Sequence, residues 1–155
     1  TDTSRSMVPL GSDSEKLKDY LEIIRLRQDG RFTYTVQVDP AVQDVLIPKL
    51  WVQPVVENSV KYGSLRKQTL HVDLTARMED GFLLLTVEDN GTGFEPQRLK
   101  EVQDSLTDPK KGTRQSGLQS IARRLVLLYG KESSVTIESE YMVHTRVTLR
   151  MRRGG

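Results

Sequence analysis

Two alternating stretches, Thr69 to Met78 and Phe82 to Glu88, stand in this chain with only the turn Glu79-Asp80-Gly81 between them. Apolar and polar residues in alternation mark half-buried strands, and so short a link joins them as an antiparallel hairpin. A sheet built this way does not follow the strict β-α-β alternation of a doubly wound fold. The flanking sequence agrees. A helix capped by Asp13 or Ser14 runs to about Gln28, with Leu17, Tyr20, Leu21, Ile24 and Leu26 as its apolar stripe. Phe32 to Val38 alternates as a strand ended by Asp39-Pro40. Leu46-Ile47-Pro48 leads into a second helix, about Pro48 to Tyr62, closed by Gly63, and Pro54 is expected to bend it. A third helix, Gly117 to Tyr129, places Leu118, Ile121, Ala122, Leu125 and Leu128 at helical spacing before Gly130. Strands over about Ser134 to Ser139 and Val143 to Arg152 finish the chain. The expectation is one α+β domain over residues 13–153, a two-layer α/β sandwich, behind a flexible polar lead-in over 1–12. A polar stretch from Glu95 to Ser116 reads as a long irregular loop with a short helix inside it.

Composition removes several functions. Lys plus Arg exceeds Asp plus Glu by 23 − 21 = 2, which gives no electrostatic footprint for nucleic acid. Arg146, Arg150 and Arg152 share strand parity and read as a solvated face, with Arg153 behind them. The chain has no Cys, so disulfides, thiolate zinc sites and cysteine nucleophiles are excluded. His71 and His144 are too few for most imidazole metal sites. The longest strongly apolar stretch, Phe82 to Val87, is far too short for a membrane span, so no membrane contact by this domain is expected. No signal peptide is visible, and a start at Thr1 reads as a piece of something longer.

Three stretches carry chemistry. In Gln53-Pro54-Val55-Val56-Glu57-Asn58-Ser59-Val60-Lys61-Tyr62-Gly63, helical spacing puts Asn58, Lys61 and Tyr62 on one face. An amide oxygen beside an ammonium suits a magnesium–phosphate group, although a solvated face with a Glu57–Lys61 pair explains the same residues. In Glu88-Asp89-Asn90-Gly91-Thr92-Gly93-Phe94, Asn-Gly is a common hairpin signal. Here, however, Glu95-Pro96 opens a helix-like stretch rather than a second strand. The other reading puts Asp89 at the end of a buried strand, accepting a hydrogen from an adenine amino group, with glycines letting backbone approach the base. Gly112-Thr113-Arg114-Gln115-Ser116-Gly117-Leu118 stands at the head of the third helix, where free N–H groups attract phosphate or Ser116 simply caps.

Together and in this order, ENSVKYG, VEDNGTGFEP and GTRQSGLQSI resemble the N box and two glycine boxes of the Bergerat ATP-binding fold. That fold is shared by sensor histidine kinases, gyrase B, MutL and the ninety-kilodalton heat-shock chaperone. The LytS-like sensor histidine kinases are most similar, through EKLKDYLEIIRLR, LIPKLWVQPVVENSVKYG and IARRLVLLYG, and the resemblance covers about Pro9 to Arg152. It implies helices packed on one face of a mixed sheet, with residues 95–116 as an ATP lid. It implies that Asn58 ligates Mg²⁺ and that Lys61 and Tyr62 face phosphates or ribose. Asp89 would bind the adenine amino group, Gly91 and Gly93 would shape the base pocket, and Phe94 belongs to the same nucleotide-binding set. Gly117 and Leu118 would offer N–H groups to phosphate, while Lys110, Lys111 and Arg114 close over it. Thr145 would support adenine through water, with His144 where the fold usually has Gly. Glu57 stands where these kinases place a carboxylate that polarises the acceptor imidazole.

Two departures stand out. Gln115 and Ser116 replace part of a GxGxGL pattern, removing one backbone approach to phosphate. Pro54 occupies the position of the water-orienting Glu of the hydrolytic members, which disfavours an autonomous ATPase. Neither histidine lies in a phosphoacceptor box. The resemblance therefore implies a cytoplasmic catalytic domain of a membrane-bound parent kinase. It would take Mg-ATP and pass the γ-phosphate to a histidine in an upstream phosphoacceptor and dimerisation segment, and thence to a response regulator. A degenerate, non-catalytic nucleotide-binding or protein-interaction module is the alternative.

Overall fold

Alternation in the sequence becomes a sheet whose two faces differ in kind. The computed structural model describes residues 7–63, 68–107 and 117–152. Its elements are β1 (Met7–Pro9), α1 (Leu10–Arg27), β2 (Phe32–Val38), β3 (Leu46–Pro48) and α2 (Gln53–Gly63). Then follow β4 (Leu70–Glu79), β5 (Phe82–Asp89), α3 (Pro96–Thr107), α4 (Gly117–Tyr129), β6 (Ser134–Glu140) and β7 (His144–Arg152). Five strands order as β2-β4-β5-β7-β6. β2 and β4 are parallel and the other neighbours antiparallel, so the sheet is mixed.

One sheet face presents Val72, Leu74, Leu85, Val87, Val147 and Leu149, all buried, to α1, α2 and α4. The other carries Thr33, Thr35, His71, Asp73, Glu88 and Arg146, exposed or half-buried. Arg146 Nε donates to Glu88 Oε1 at 2.9 Å across that outer face. Phe82 also points outward, and the Arg150 guanidinium covers its ring at 3.6 Å from the centroid. The arginine strand face and the two-layer sandwich are thus as expected. Asp80 and Gly81 alone link β4 to β5, with φ of 52° and 82°, the backbone of a type I′ turn. Gly81→Ala would hold a Cβ in the left-handed region, costing about 1 kcal/mol. A thermal melt should therefore move down by about 3 °C.

Four expectations change. Residues 7–12 are no flexible lead-in, because Met7–Pro9 pairs with Leu46–Pro48 and α1 begins at Leu10, while residues 1–6 lie outside the described residues. Tertiary partners set this start: Leu10 and Gly11 donate N–H to the carbonyls of Val45 and Gln43, each at 2.8 Å. Asp13 is no cap. It is buried inside α1 and accepts the N–H of Leu50 at 2.9 Å. Second, α2 starts at Gln53 rather than Pro48, which places Pro54 in the first turn, where its missing N–H costs no helical bond. No bend follows.

Third, the short helix expected inside the stretch 95–116 is there and is longer than expected, with 12 residues, so that it takes up the first half of what read as an irregular loop. Pro96 starts it, Val102 is buried, Leu99 and Leu106 pack against the core, and Gln103 Nε2 donates to Ile137 O at 2.9 Å. Lys110, Lys111, Arg114 and the rest of the second glycine box before Gly117 lie outside the described residues. Fourth, Leu26 and Leu128, placed in apolar stripes by spacing, are exposed at the outer edges of α1 and α4.

Candidate functional site

A cavity of about 260 Å³ opens between α2, α4, the segment 89–94 and the start of β7. Its walls are mostly apolar, with Val55, Phe94, Val102, Leu118 and Val147 among them. A few polar groups converge on it: Asn58, Ser59, Asp89 and Thr145. That mixture of apolar walls and few aimed polar groups is the ordinary anatomy of a small-molecule site.

Asp89 ends β5, and the register sets it opposite Thr145 on β7. Both side chains are buried. The carboxylate accepts the N–H of Gly91 on Oδ1 at 2.8 Å, and the Ser59 hydroxyl also donates to it. Burial pushes the Asp89 carboxyl above the ordinary range, while the Gly91 and Ser59 hydrogen bonds pull the other way. The remaining lone pairs of a buried carboxylate make a demanding acceptor, and a ligand N–H₂ would satisfy it.

The segment after Asp89 is no hairpin turn, because α3 rather than a strand follows it. Asn90 pins it to β4: its Oδ1 accepts the His71 N–H at 2.7 Å and its Nδ2 donates to Thr69 O at 3.2 Å. The glycines serve packing. A Cβ on Gly91 would lie 2.4 Å from Gly63 Cα, so this glycine lets the segment touch the end of α2. Gly93 has φ +65°, and a Cβ there would lie 2.3 Å from Glu140 O in the β6–β7 turn.

Asn58 projects from α2 into the cavity, and the head of α4 faces it: a Cβ on Gly117 would be 3.9 Å from Asn58 Nδ2. Gly117 is exposed and Leu118 buried in the cavity wall. The helix face inferred from spacing holds only in part. Lys61 is exposed and outside the lining, and the side chain of Tyr62 lies outside the described residues. Glu57 is exposed on the flank of α2 toward α1, where its charge, after burial, helps raise the Tyr20 pKa. The structure therefore gathers Asn58, Asp89, Gly93, Phe94, Leu118 and Thr145 around one cavity and leaves Glu57 and Lys61 outside it.

Two polar residues that sequence reasoning passed over line the cavity, Ser59 and Arg98, and a third, Ser139, stands behind it and accepts the Phe94 N–H. Ser59 had a signal, since it falls one turn after Val55 on the buried stripe of α2. Arg98 was hidden in a polar stretch where only a short helix of unstated bounds was expected. Ser139 had none. Among the described residues no group of three or more His, Asp or Glu could hold a metal. A divalent ion beside Asn58 would thus draw its other oxygens from a ligand's phosphates and from water, which suits Mg²⁺. His71 is engaged on the outer sheet face, with Thr33 Oγ1 at 2.5 Å and Asp73 Oδ1 at 2.9 Å.

The family described as histidine kinase-, DNA gyrase B-, and HSP90-like ATPase matches residues 43–155. Sensor protein LytS of Staphylococcus haemolyticus is 32% identical over 133 residues, which are 85% of this chain and 23% of that protein. Sensor histidine kinase YesM of Bacillus subtilis is 30% identical over 146 residues, 94% of this chain and 24% of that protein. The chain spans about a quarter of the length of the curated relatives it matches. The catalytic domain of histidine kinase ThkA superposes with a TM-score of 0.68 at 12% identity, covering 95% of this chain and 94% of that one. At that identity the likeness is one of fold.

Proposed function

Because this chain belongs to the histidine kinase-, DNA gyrase B-, and HSP90-like ATPase family, we propose that it is the catalytic ATP-binding domain of a LytS- and YesM-like sensor histidine kinase. It passes the γ-phosphate of Mg-ATP to a histidine outside these residues. The observation that carries the reading is the buried Asp89 carboxylate at the end of an apolar cavity, opposite Thr145. An adenine ring fits between the apolar walls, its amino group donating to Asp89 and reaching Thr145 through water. Gly91 and Gly93 fix the loop that carries this wall.

The triphosphate then lies toward Asn58 and the head of α4. Gly117 and Leu118 offer N–H groups there, and the helix N-terminus favours negative charge. Asn58 contributes an amide oxygen to Mg²⁺, which when bound neutralises phosphate charge. Lys61 and Tyr62 are assigned to the phosphates or ribose, and residues 95–116 to the ATP lid. Phosphoryl transfer asks the protein mainly for positioning and charge neutralisation. The incoming imidazole nitrogen forms a bond to the γ-phosphorus as the bond to the bridging oxygen breaks and ADP departs. Glu57, exposed beside α1, is assigned to polarising that imidazole. Pro54 offers no base to activate water in its place.

The acceptor histidine belongs to an upstream phosphoacceptor and dimerisation segment of the parent kinase, and a response-regulator aspartate receives the group next. The site faces the cytoplasm in this reading. No helix among the described residues is long and apolar enough to cross a membrane. Calorimetric titration with ATP, with and without Mg²⁺, tests the reading. Saturable binding that tightens with Mg²⁺ is expected. Absence of binding up to millimolar nucleotide would move the assignment to a non-catalytic interaction module.

A further inference from the structure

We propose that Ser139 is a positioning residue that sets the hydrogen-bond polarity of Thr145, and with it the preference of the cavity for a 6-amino over a 6-oxo purine. The proposal rests on the adenine-nucleotide reading above. Ser139 is half-buried near the end of β6, in register with Thr145. Its Oγ makes three contacts: it donates to His144 O at 2.7 Å, accepts the Phe94 N–H at 2.8 Å, and lies 3.1 Å from Thr145 Oγ1.

A serine hydroxyl has one proton and two acceptor lone pairs. A carbonyl oxygen can only accept, so the single proton of Ser139 goes to His144 O. The Phe94 N–H can only donate, so it takes one lone pair. The bond to Thr145 must then use the second lone pair, with Thr145 as donor. Its proton thus committed, Thr145 turns acceptor lone pairs toward the cavity, beside the acceptor-only carboxylate of Asp89. A site edged by two acceptors selects a donor, directly or through one water whose two protons are taken by Thr145 and Asp89, leaving it only lone pairs for the ligand. An amino group at the purine 6-position satisfies it and a carbonyl there does not.

The same hydroxyl ties the segment 89–94 to the β6–β7 hairpin. Two further contacts reinforce that tie: Met142 N–H donates to Thr92 O at 2.5 Å, and Gly93 packs against Glu140 O. Removing the Ser139 hydroxyl leaves the Phe94 N–H without its acceptor and frees Thr145 to rotate and donate into the cavity.

Titration of wild type, Ser139→Ala and Ser139→Thr with ADP and with GDP reads both effects. Ser139→Ala should bind ADP about tenfold more weakly, the loss of roughly one hydrogen bond to a buried partner. Its preference for ADP over GDP should narrow by a similar factor, and Ser139→Thr, which keeps the hydroxyl, should stay near wild type in both. An unchanged ADP/GDP ratio in Ser139→Ala overturns the proposal, even if both variants melt lower, because that marks a merely structural role. A wild-type domain that binds neither nucleotide overturns the underlying reading of the cavity instead. Amide hydrogen exchange at Phe94 in the ligand-free protein then decides the positioning by itself. At least about tenfold faster exchange in Ser139→Ala is expected, and equal protection in the two proteins contradicts it.

Discussion

Asp89→Asn is expected to bind ATP about 100-fold more weakly than the wild-type domain while melting no lower at neutral pH. The two halves have one cause. Asp89 is buried, and its carboxylate already accepts from Gly91 and Ser59. An asparagine can keep the Gly91 bond through its oxygen, but its NH₂ then meets the adenine NH₂ donor to donor. Ligand binding loses an acceptor and gains an unpaired buried donor. Stability moves the other way. Burial raises the folded-state pKa of this carboxyl, so the folded protein holds the proton more tightly than the unfolded chain does. The group thus favours folding below its unfolded pKa, and that contribution is lost as pH rises through the raised folded value. At neutral pH the ionised form is a net cost that asparagine removes. ATP affinity of the wild type should accordingly fall as the medium is acidified through the raised Asp89 value, while Asp89→Asn should show no such titration. Calorimetry across pH, paired with thermal melts, checks both halves. An Asn variant that binds ATP like wild type contradicts the assigned adenine contact.

Gly93→Ala is expected to destabilise the fold by about 3 kcal/mol, as two costs add. The residue sits at φ +65°, where a side chain costs about 1–2 kcal/mol. Its Cβ would also stand 2.3 Å from Glu140 O, a backbone atom of a turn that cannot swing aside as a flexible side chain would. Overpacking of that kind adds about 1–3 kcal/mol. The melting temperature should drop by about 10 °C for a chain of this size. Gly130→Ala is the matched control, with φ +95° and nothing within 4 Å of the added carbon. It bears only the backbone cost, about 1 kcal/mol. Urea denaturation that finds the two variants equally stable would show that the contact with the β6–β7 turn does not hold the segment 89–94 in place.

What was legible in the sequence follows from where the information lies. β2 over Phe32–Val38 and α4 over Gly117–Tyr129 match their expected bounds, because alternation and 3.6-residue spacing are local signals bounded by Asp39-Pro40 and Gly130. The start of α1 was not legible, since Leu10 and Gly11 are ordered by the carbonyls of Val45 and Gln43, far along the chain. A charge-rich composition hid the extent of α3, whose apolar residues Leu99, Val102 and Leu106 only mean something once β6 is beside them. The cavity shows the same division. Asp89, Asn58 and Thr145 were marked by motif and order, and they do meet around one space. Ser59 carried only the weak mark of its place on the buried stripe of α2, and Ser139 none, because a serine that orients another residue leaves no pattern of its own in a single sequence. Lys61 shares a helix face with Asn58 by spacing, yet helical periodicity cannot say where the rim of a cavity falls.

The central claim is that this domain moves the γ-phosphate of ATP onto a histidine supplied from outside. The most direct measurement incubates it with γ-labelled Mg-ATP and a separate fragment bearing the upstream phosphoacceptor segment. Label is expected on the fragment in an acid-labile, alkali-stable form, the behaviour of phosphohistidine, and it should disappear in Asn58→Ala and Asp89→Asn. Steady release of labelled inorganic phosphate with no label on the fragment, or no turnover from a domain that binds ATP, would contradict it.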